Sequence, residues 1–174
     1  LKDEATYHAT RDHLTGLWNR DFFVEMVAKT LRENPDIKFV LIVTDIYQFK
    51  MFNDVLGRKM GDDVLLSITK ALLETSRTLW VQSRIAADRF AVLIPEEDFD
   101  EAKILSVMNA VLNKKQYSLK LHNYIGVYHI TDRSLHVEAM YDRARMALES
   151  IKGDFQKEIA YYEDEMRNRK LKDT

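Results

Sequence analysis

The sequence predicts an α/β (α+β) domain with a single mixed, mostly antiparallel central sheet of about five strands, flanked by helices. Three observations predict it. Apolar residues switch along the chain between helical spacing and short strand-like runs, in the order α-β-α-α-β-β-α-β-α-β. Helices separate most of the strands, and one pair of strands is joined by a tip of a few residues, as in a hairpin. Proline and glycine number only 2 and 5 in 174 residues, so most of the chain is available for regular structure.

Residues 1–11 are polar and read as a helical linker from upstream. Asp12 to Arg20 is a turn-rich opening. A helix then places Phe22, Phe23, Met26, Val27 and Leu31 on one face and stops near Asn34-Pro35. Lys38 to Ile46 is the clearest strand, apolar on both faces like a central strand. A short helix through Phe49 to Leu56 follows. Gly57 and Gly61 frame a turn, and Asp62 to Ser76 carries Val64, Leu65, Ile68 and Leu72 at helical spacing, with Asp62 placed to cap it. Val81 to Ile85 and Phe90 to Ile94 are the hairpin strands, with Ala86 to Arg89 as the tip and Pro95 as the stop. Asp98 to Asn113 is a helix. Tyr117 to Ile130 reads as a strand bent at Gly126, Ser134 to Ile151 as the last large helix, and Ile159 to Tyr162 as an edge strand. Residues 12–163 form the domain. Residues 164–174 are a charged linker towards a downstream domain. With Leu1 in place of a starting Met, both ends read as cut from something longer.

Composition narrows the function classes. Hydrophobic residues make up 46%, enough for one core, while charged residues make up 31% and nearly cancel, to a net charge of −2. No basic surface for nucleic acid and no polybasic membrane anchor is expected. The absence of cysteine removes disulfides and thiolate metal sites. The five histidines lack metal-ligand spacing, and Arg143, Arg145, Lys152 and Lys157 read as a solvated helix face.

Asp45 ends the apolar strand, and Asp88 lies at the hairpin tip. If those strands are neighbours, two carboxylates face each other across a short gap, and Mg²⁺ with phosphate oxygens would relieve their repulsion. Residue types alone leave the plainer alternative open, because strand ends and turns use Asp for solvation and turn chemistry.

Four blocks resemble the GGDEF domain family, of the diguanylate cyclase type. Asp12 to Arg20 matches D-x-L-T-G-L-x-N-R. Asp45 to Lys50 with Asn53-Asp54 matches D-x-D-x-F-K-x-x-N-D, except for Tyr47 at the second Asp. Gly57 and Gly61-Asp62 match G-H-x-x-G-D, with Arg58 for His. Arg84 to Pro95 resembles R-x-G-G-D-E-F-A-V-L-L-P. The resemblance implies a palm-like fold, as in nucleotide cyclases and polymerases with a ferredoxin-like core. It also implies cyclic di-GMP synthesis from two GTP by two facing domains using Mg²⁺, in the cytoplasm. It makes Asp45, the Ile46 carbonyl and Asp88 the metal ligands. Phe49 and Lys50 would lie beside the phosphates, Asn53 and Asp62 would read guanine, and Leu65 would pack near the base.

The departures fall where that chemistry would occur. The signature reads Ala86-Ala87-Asp88-Arg89-Phe90. Alanines in place of glycines would cost about 1 kcal/mol or more per left-handed residue, and Arg89 reverses the charge of an acid. In the last helix the family carries a Lys and, four residues on, an Arg. Aligned on Asp142, these positions hold Glu149 and Gly153, and Lys152 is expected to point elsewhere. Arg77 is the remnant of a product-inhibition R-x-x-D whose Asp is Trp80. The resulting expectation is a degenerate, cyclase-silent regulatory module that retains GTP, with Mg²⁺ as the associated ion. Its parent would carry an EAL phosphodiesterase domain, and homodimers are an expected assembly. Two alternatives stay open: an active diguanylate cyclase, and a scaffold that binds no nucleotide.

Overall fold

The computed structural model describes residues 2–75 and 80–172. Its elements run α1 (Lys2–Thr10), α2 (Arg20–Glu33), β1 (Phe39–Ile46), α3 (Phe49–Leu56), α4 (Arg58–Thr75), β2 (Val81–Ala86), β3 (Arg89–Pro95), α5 (Glu101–Leu112), β4 (Asn123–His129), α6 (Val137–Ile151), β5 (Ile159–Tyr161) and α7 (Asp164–Lys172). The five strands form one sheet in the order β2-β3-β1-β4-β5. The β1–β3, β1–β4 and β2–β3 pairs are antiparallel, and β5 joins β4 in parallel. The predicted fold class is therefore the observed one.

The central position of β1 explains its composition. Every residue from Phe39 to Ile46 is buried. Strand alternation sends Val40 and Ile42 into a core shared with α3, α4 and α5, and Phe39, Leu41 and Val43 into a second core shared with α2 and α6. The α6 helix lies close against the sheet at Gly126, where a Cβ would overlap the Ala144 carbonyl oxygen. Gly126 stays within the β4 ladder opposite Val43, so the residue expected to bend the strand instead admits the helix.

Several boundaries differ from those predicted. The α4 helix begins at Arg58, directly after Gly57 (φ 91°). Gly61 and Asp62 therefore lie inside the helix, and Asp62 does not cap it; Arg58, Lys59 and Met60 are good helix formers that carry the helix back to the glycine. Residues 117–122 stay outside the β4 ladder although Tyr117 and Leu121 are buried. Their apolar side chains fill the core without strand pairing. A 3-10 turn at Glu96–Asp98 precedes α5, whose cap is Asp100, accepting from the Lys103 N–H. Asp132 to Ser134 forms a turn that delays α6 to Val137.

The hairpin tip is the largest local correction. Ala86 pairs with Arg89, leaving Ala87 and Asp88 as the turn, and the register shifts between Arg84 and Ala86. Among the described residues the only non-glycine with positive φ is Gln48, at 55°. The alanines thus avoid the left-handed conformation, and its cost is not incurred. Among the described residues, no helix is long and apolar enough to cross a membrane.

Candidate functional site

The site lies where β1 ends beside the hairpin. Pairing of Thr44 with Phe90 brings the turn alongside the residues after Thr44. Asp88 Oδ2 accepts a hydrogen bond from the Ile46 N–H at 2.8 Å. Burial and the neighbouring Asp45 charge push the Asp88 carboxyl above the usual range, against the pull of the Ile46 N–H and Arg89. The two predicted carboxylates do meet.

Asp45 is engaged by two cations. Its side chain is 4% exposed, and Oδ2 stands 3.1 Å from Arg89 Nη2 and 3.0 Å from Lys152 Nζ. Its Oδ1 is buried without a hydrogen-bond partner. Arg89 also donates to the Tyr141 hydroxyl at 3.4 Å. Burial works to lower the Arg89 pKa, but Tyr141 and Asp45 outweigh it and hold the guanidinium above its ordinary value. Glu149 Oε1 lies 3.6 Å from Arg89, 3.7 Å from Lys152 and 3.9 Å from Arg145.

Lys152 was expected to point elsewhere and to belong to a solvated face, and this is corrected. It is the C-cap of α6, with extended ψ of 130°. The chain has already left the helix there, so helical spacing no longer dictates its direction. The signal in the sequence was the glycine at 153, a common helix-stop neighbour. Arg143 likewise packs over the Tyr128 and Tyr162 rings and donates to the Tyr128 hydroxyl.

Mg²⁺ would sit about 2.1 Å from a ligating carboxylate oxygen, close to both cations already on Asp45 Oδ2. Among the described residues no group of three or more His, Asp or Glu side chains converges on one point. Arg89 and Lys152 thus occupy Asp45 Oδ2 and compete there with any ion held by Asp45, Ile46 and Asp88. Tyr47 supplies no third carboxylate and packs edge-on against Tyr124 and Phe155.

The nucleotide candidates flank this centre on α3 and α4. Phe49 is buried and stacks parallel to Phe52 with ring centroids 6.1 Å apart, whereas Lys50 is exposed. Asn53 lies against Gly61, and its buried Oδ1 has no hydrogen-bond partner. Asp62 is half-buried, and Leu65 is part of the core. Arg77 lies outside the described residues.

The opening motif braces the hairpin. Asp12 Oδ2 accepts from the Thr15 N–H and hydroxyl, both at 2.8 Å, and Asp12 pairs with Arg84 at 3.2 Å. Arg84 Nε donates to the Ala87 carbonyl at 2.9 Å. Asn19 caps α2 through the Phe22 N–H.

Residues 9–158 match the family described as "Diguanylate cyclase, GGDEF domain". The probable diguanylate cyclase DgcC of Escherichia coli is 27% identical over 149 residues, 80% of this chain and 40% of that protein. The uncharacterized protein YhcK of Bacillus subtilis is 36% identical over 105 residues, 59% of this chain and 29% of that protein. The chain thus spans less than half the length of either relative. Among solved structures, the coiled coil and GGDEF domain of DgcB from Caulobacter crescentus, in complex with c-di-GMP, superposes with a TM-score of 0.73 at 20% identity, covering 92% of this chain and 89% of that one. The S helix-GGDEF-EAL portion of Vibrio cholerae LapD, bound to c-di-GMP, gives 0.70 at 17% identity, covering 92% and 38%.

Proposed function

This chain belongs to the GGDEF family of diguanylate cyclase domains, and we propose that it is part of a cyclic di-GMP signalling protein, as a cyclase-silent member that acts as a nucleotide-binding regulatory module. The observation that carries this reading is the state of Asp45. The residue that would hold a catalytic metal is instead paired with Arg89 and Lys152. Loss of one charge-stabilising contact in a transition state typically costs about 2.7–4 kcal/mol. Here Asp45 is retained but engaged by two cations, Arg89 stands where the family has an acid, and Glu149 stands where it has a lysine.

In this reading GTP contacts Phe49 and Lys50 through its phosphates, and Asn53 and Asp62 through its guanine edge, with Leu65 beneath the base. Nucleotide binding would bias a neighbouring domain. Residues 1–11 and the α7 segment are the connectors, with an EAL phosphodiesterase as the expected neighbour on the C-terminal side, a homodimer as the assembly and the cytoplasm as the compartment. The highly charged α7, which has no buried residue, suits a connector.

The test is incubation of the purified protein with GTP and Mg²⁺, followed by chromatographic measurement of cyclic di-GMP. No product above background is expected. Formation at a rate ordinary for an enzyme, about 1 s⁻¹ or faster, would overturn the silent assignment.

A further inference from the structure

We propose that Arg89 and Lys152 replace divalent ions as the phosphate-binding groups of this site, so that a nucleoside triphosphate is held without a metal. The inference rests on the nucleotide-binding reading above and adds how the phosphates are held. Two facing carboxylates repel a triphosphate unless cations stand between them. In this chain the cations are built in, both on Asp45 Oδ2 at 3.0 and 3.1 Å.

Their donors are not used up. A guanidinium has five N–H donors and an ammonium three. Arg89 gives hydrogen bonds to Asp45 and Tyr141, and Lys152 pairs closely with Asp45. The Arg89 and Lys152 side chains are 24% and 31% exposed, whereas the Asp45 side chain is 4% exposed. The buried carboxylate therefore serves as an anchor that orients two cations towards the open side.

Glu149 completes the device. Its side chain is 40% exposed, and its ion pairs with Arg89, Lys152 and Arg145 are long, at 3.6–3.9 Å. Arg145 is shared with Asp142 at 3.5 Å, so the nearer partners of Glu149 are Arg89 and Lys152. Glu149 occupies the position a phosphate would take over the two cations. A phosphate entering there displaces a weakly held internal anion and leaves the Asp45 anchor intact.

The experiment is calorimetric titration of the whole chain with GTP, and separately with inorganic tripolyphosphate, in EDTA and then in excess Mg²⁺. Both ligands are expected to bind in EDTA, with no tighter binding when Mg²⁺ is present. Lys152→Gln should weaken binding by about tenfold or more, the loss of one charge-assisted contact. Glu149→Gln, a change at an exposed side chain that spares the fold, should tighten it by about threefold or more, since the competing carboxylate is gone. GTP binding that appears only with Mg²⁺ would overturn the inference and leave the nucleotide-binding reading standing. Binding in EDTA that neither substitution alters would remove Lys152 from the phosphate role and overturn the inference, again without touching that reading. Absence of binding under both conditions would overturn both.

Discussion

At the residue scale, the site is governed by one buried anion with two cationic partners. Asp45 sits at the end of the most buried strand, and a lone charge there would be strongly disfavoured. Replacing it with alanine leaves Arg89 and Lys152 facing each other without their shared acceptor. Breaking a fully buried pair costs about 3–5 kcal/mol. Both cations keep contact with solvent, so Asp45→Ala is expected to cost about 2 kcal/mol, measured by denaturant unfolding. Lys152→Gln should cost less, because Arg89 remains on the carboxylate. Asp45 and Arg89 were legible as site residues in the sequence, since each falls on a family position. Lys152 was not, because its direction depends on where α6 stops, and a one-residue change in a helix end turns a side chain by about 100°.

At the scale of elements, the hairpin is a braced unit. Asp12 and Arg84 tie the opening turn to the carbonyl of Ala87, and this fixes the turn that presents Asp88. Burial works to raise the Asp12 pKa, but the hydrogen bonds from Thr15 and the charge of Arg84 prevail and hold it below the usual carboxylate value. A folded value below the unfolded one, about 3.9, means the stabilisation is complete above that pH and is lost as the pH falls through the folded value. Asp12→Asn should therefore cost about 1 kcal/mol near neutrality, and the deficit should fade as the pH drops below about 4; denaturation curves at several pH values check this. Asp88 is shifted the other way, so its contribution becomes unfavourable once it ionises. The sequence located the hairpin correctly, because apolar runs flank a short polar break. It did not reveal the turn conformation. Alanine is compatible with several turns, and the irregularity at Ile85 that spares it a positive φ depends on pairing with β3.

At the scale of the whole molecule, the sheet divides the interior into two cores, and α6 belongs both to one core and to the site. Its central part packs on β4 at Gly126, and its end delivers Glu149 and Lys152. Gly126→Ala would force a methyl against the backbone of α6, at the upper end of the about 1–3 kcal/mol typical of overpacking. Loss of stability on denaturation should be accompanied by weaker GTP binding in EDTA, because the helix that moves carries the cation. Fold class was readable from the alternation of periods and the hairpin. Positions 117–130 were overextended because burial alone makes an irregular apolar segment resemble a strand.

The bridge between Trp18 and Ser83 has a bearing on where this chain tolerates being shortened. The Trp18 N–H donates to the Gln82 carbonyl, and the Trp18 carbonyl accepts from Arg84 N–H, so a single residue of the opening segment shields the outer rim of the sheet. Beginning the polypeptide beyond that tryptophan would uncover β-backbone groups that seek a partner, and another molecule would be the nearest source of one. The segment ahead of α2 thus covers the outer edge of β2 as well as leading into the domain.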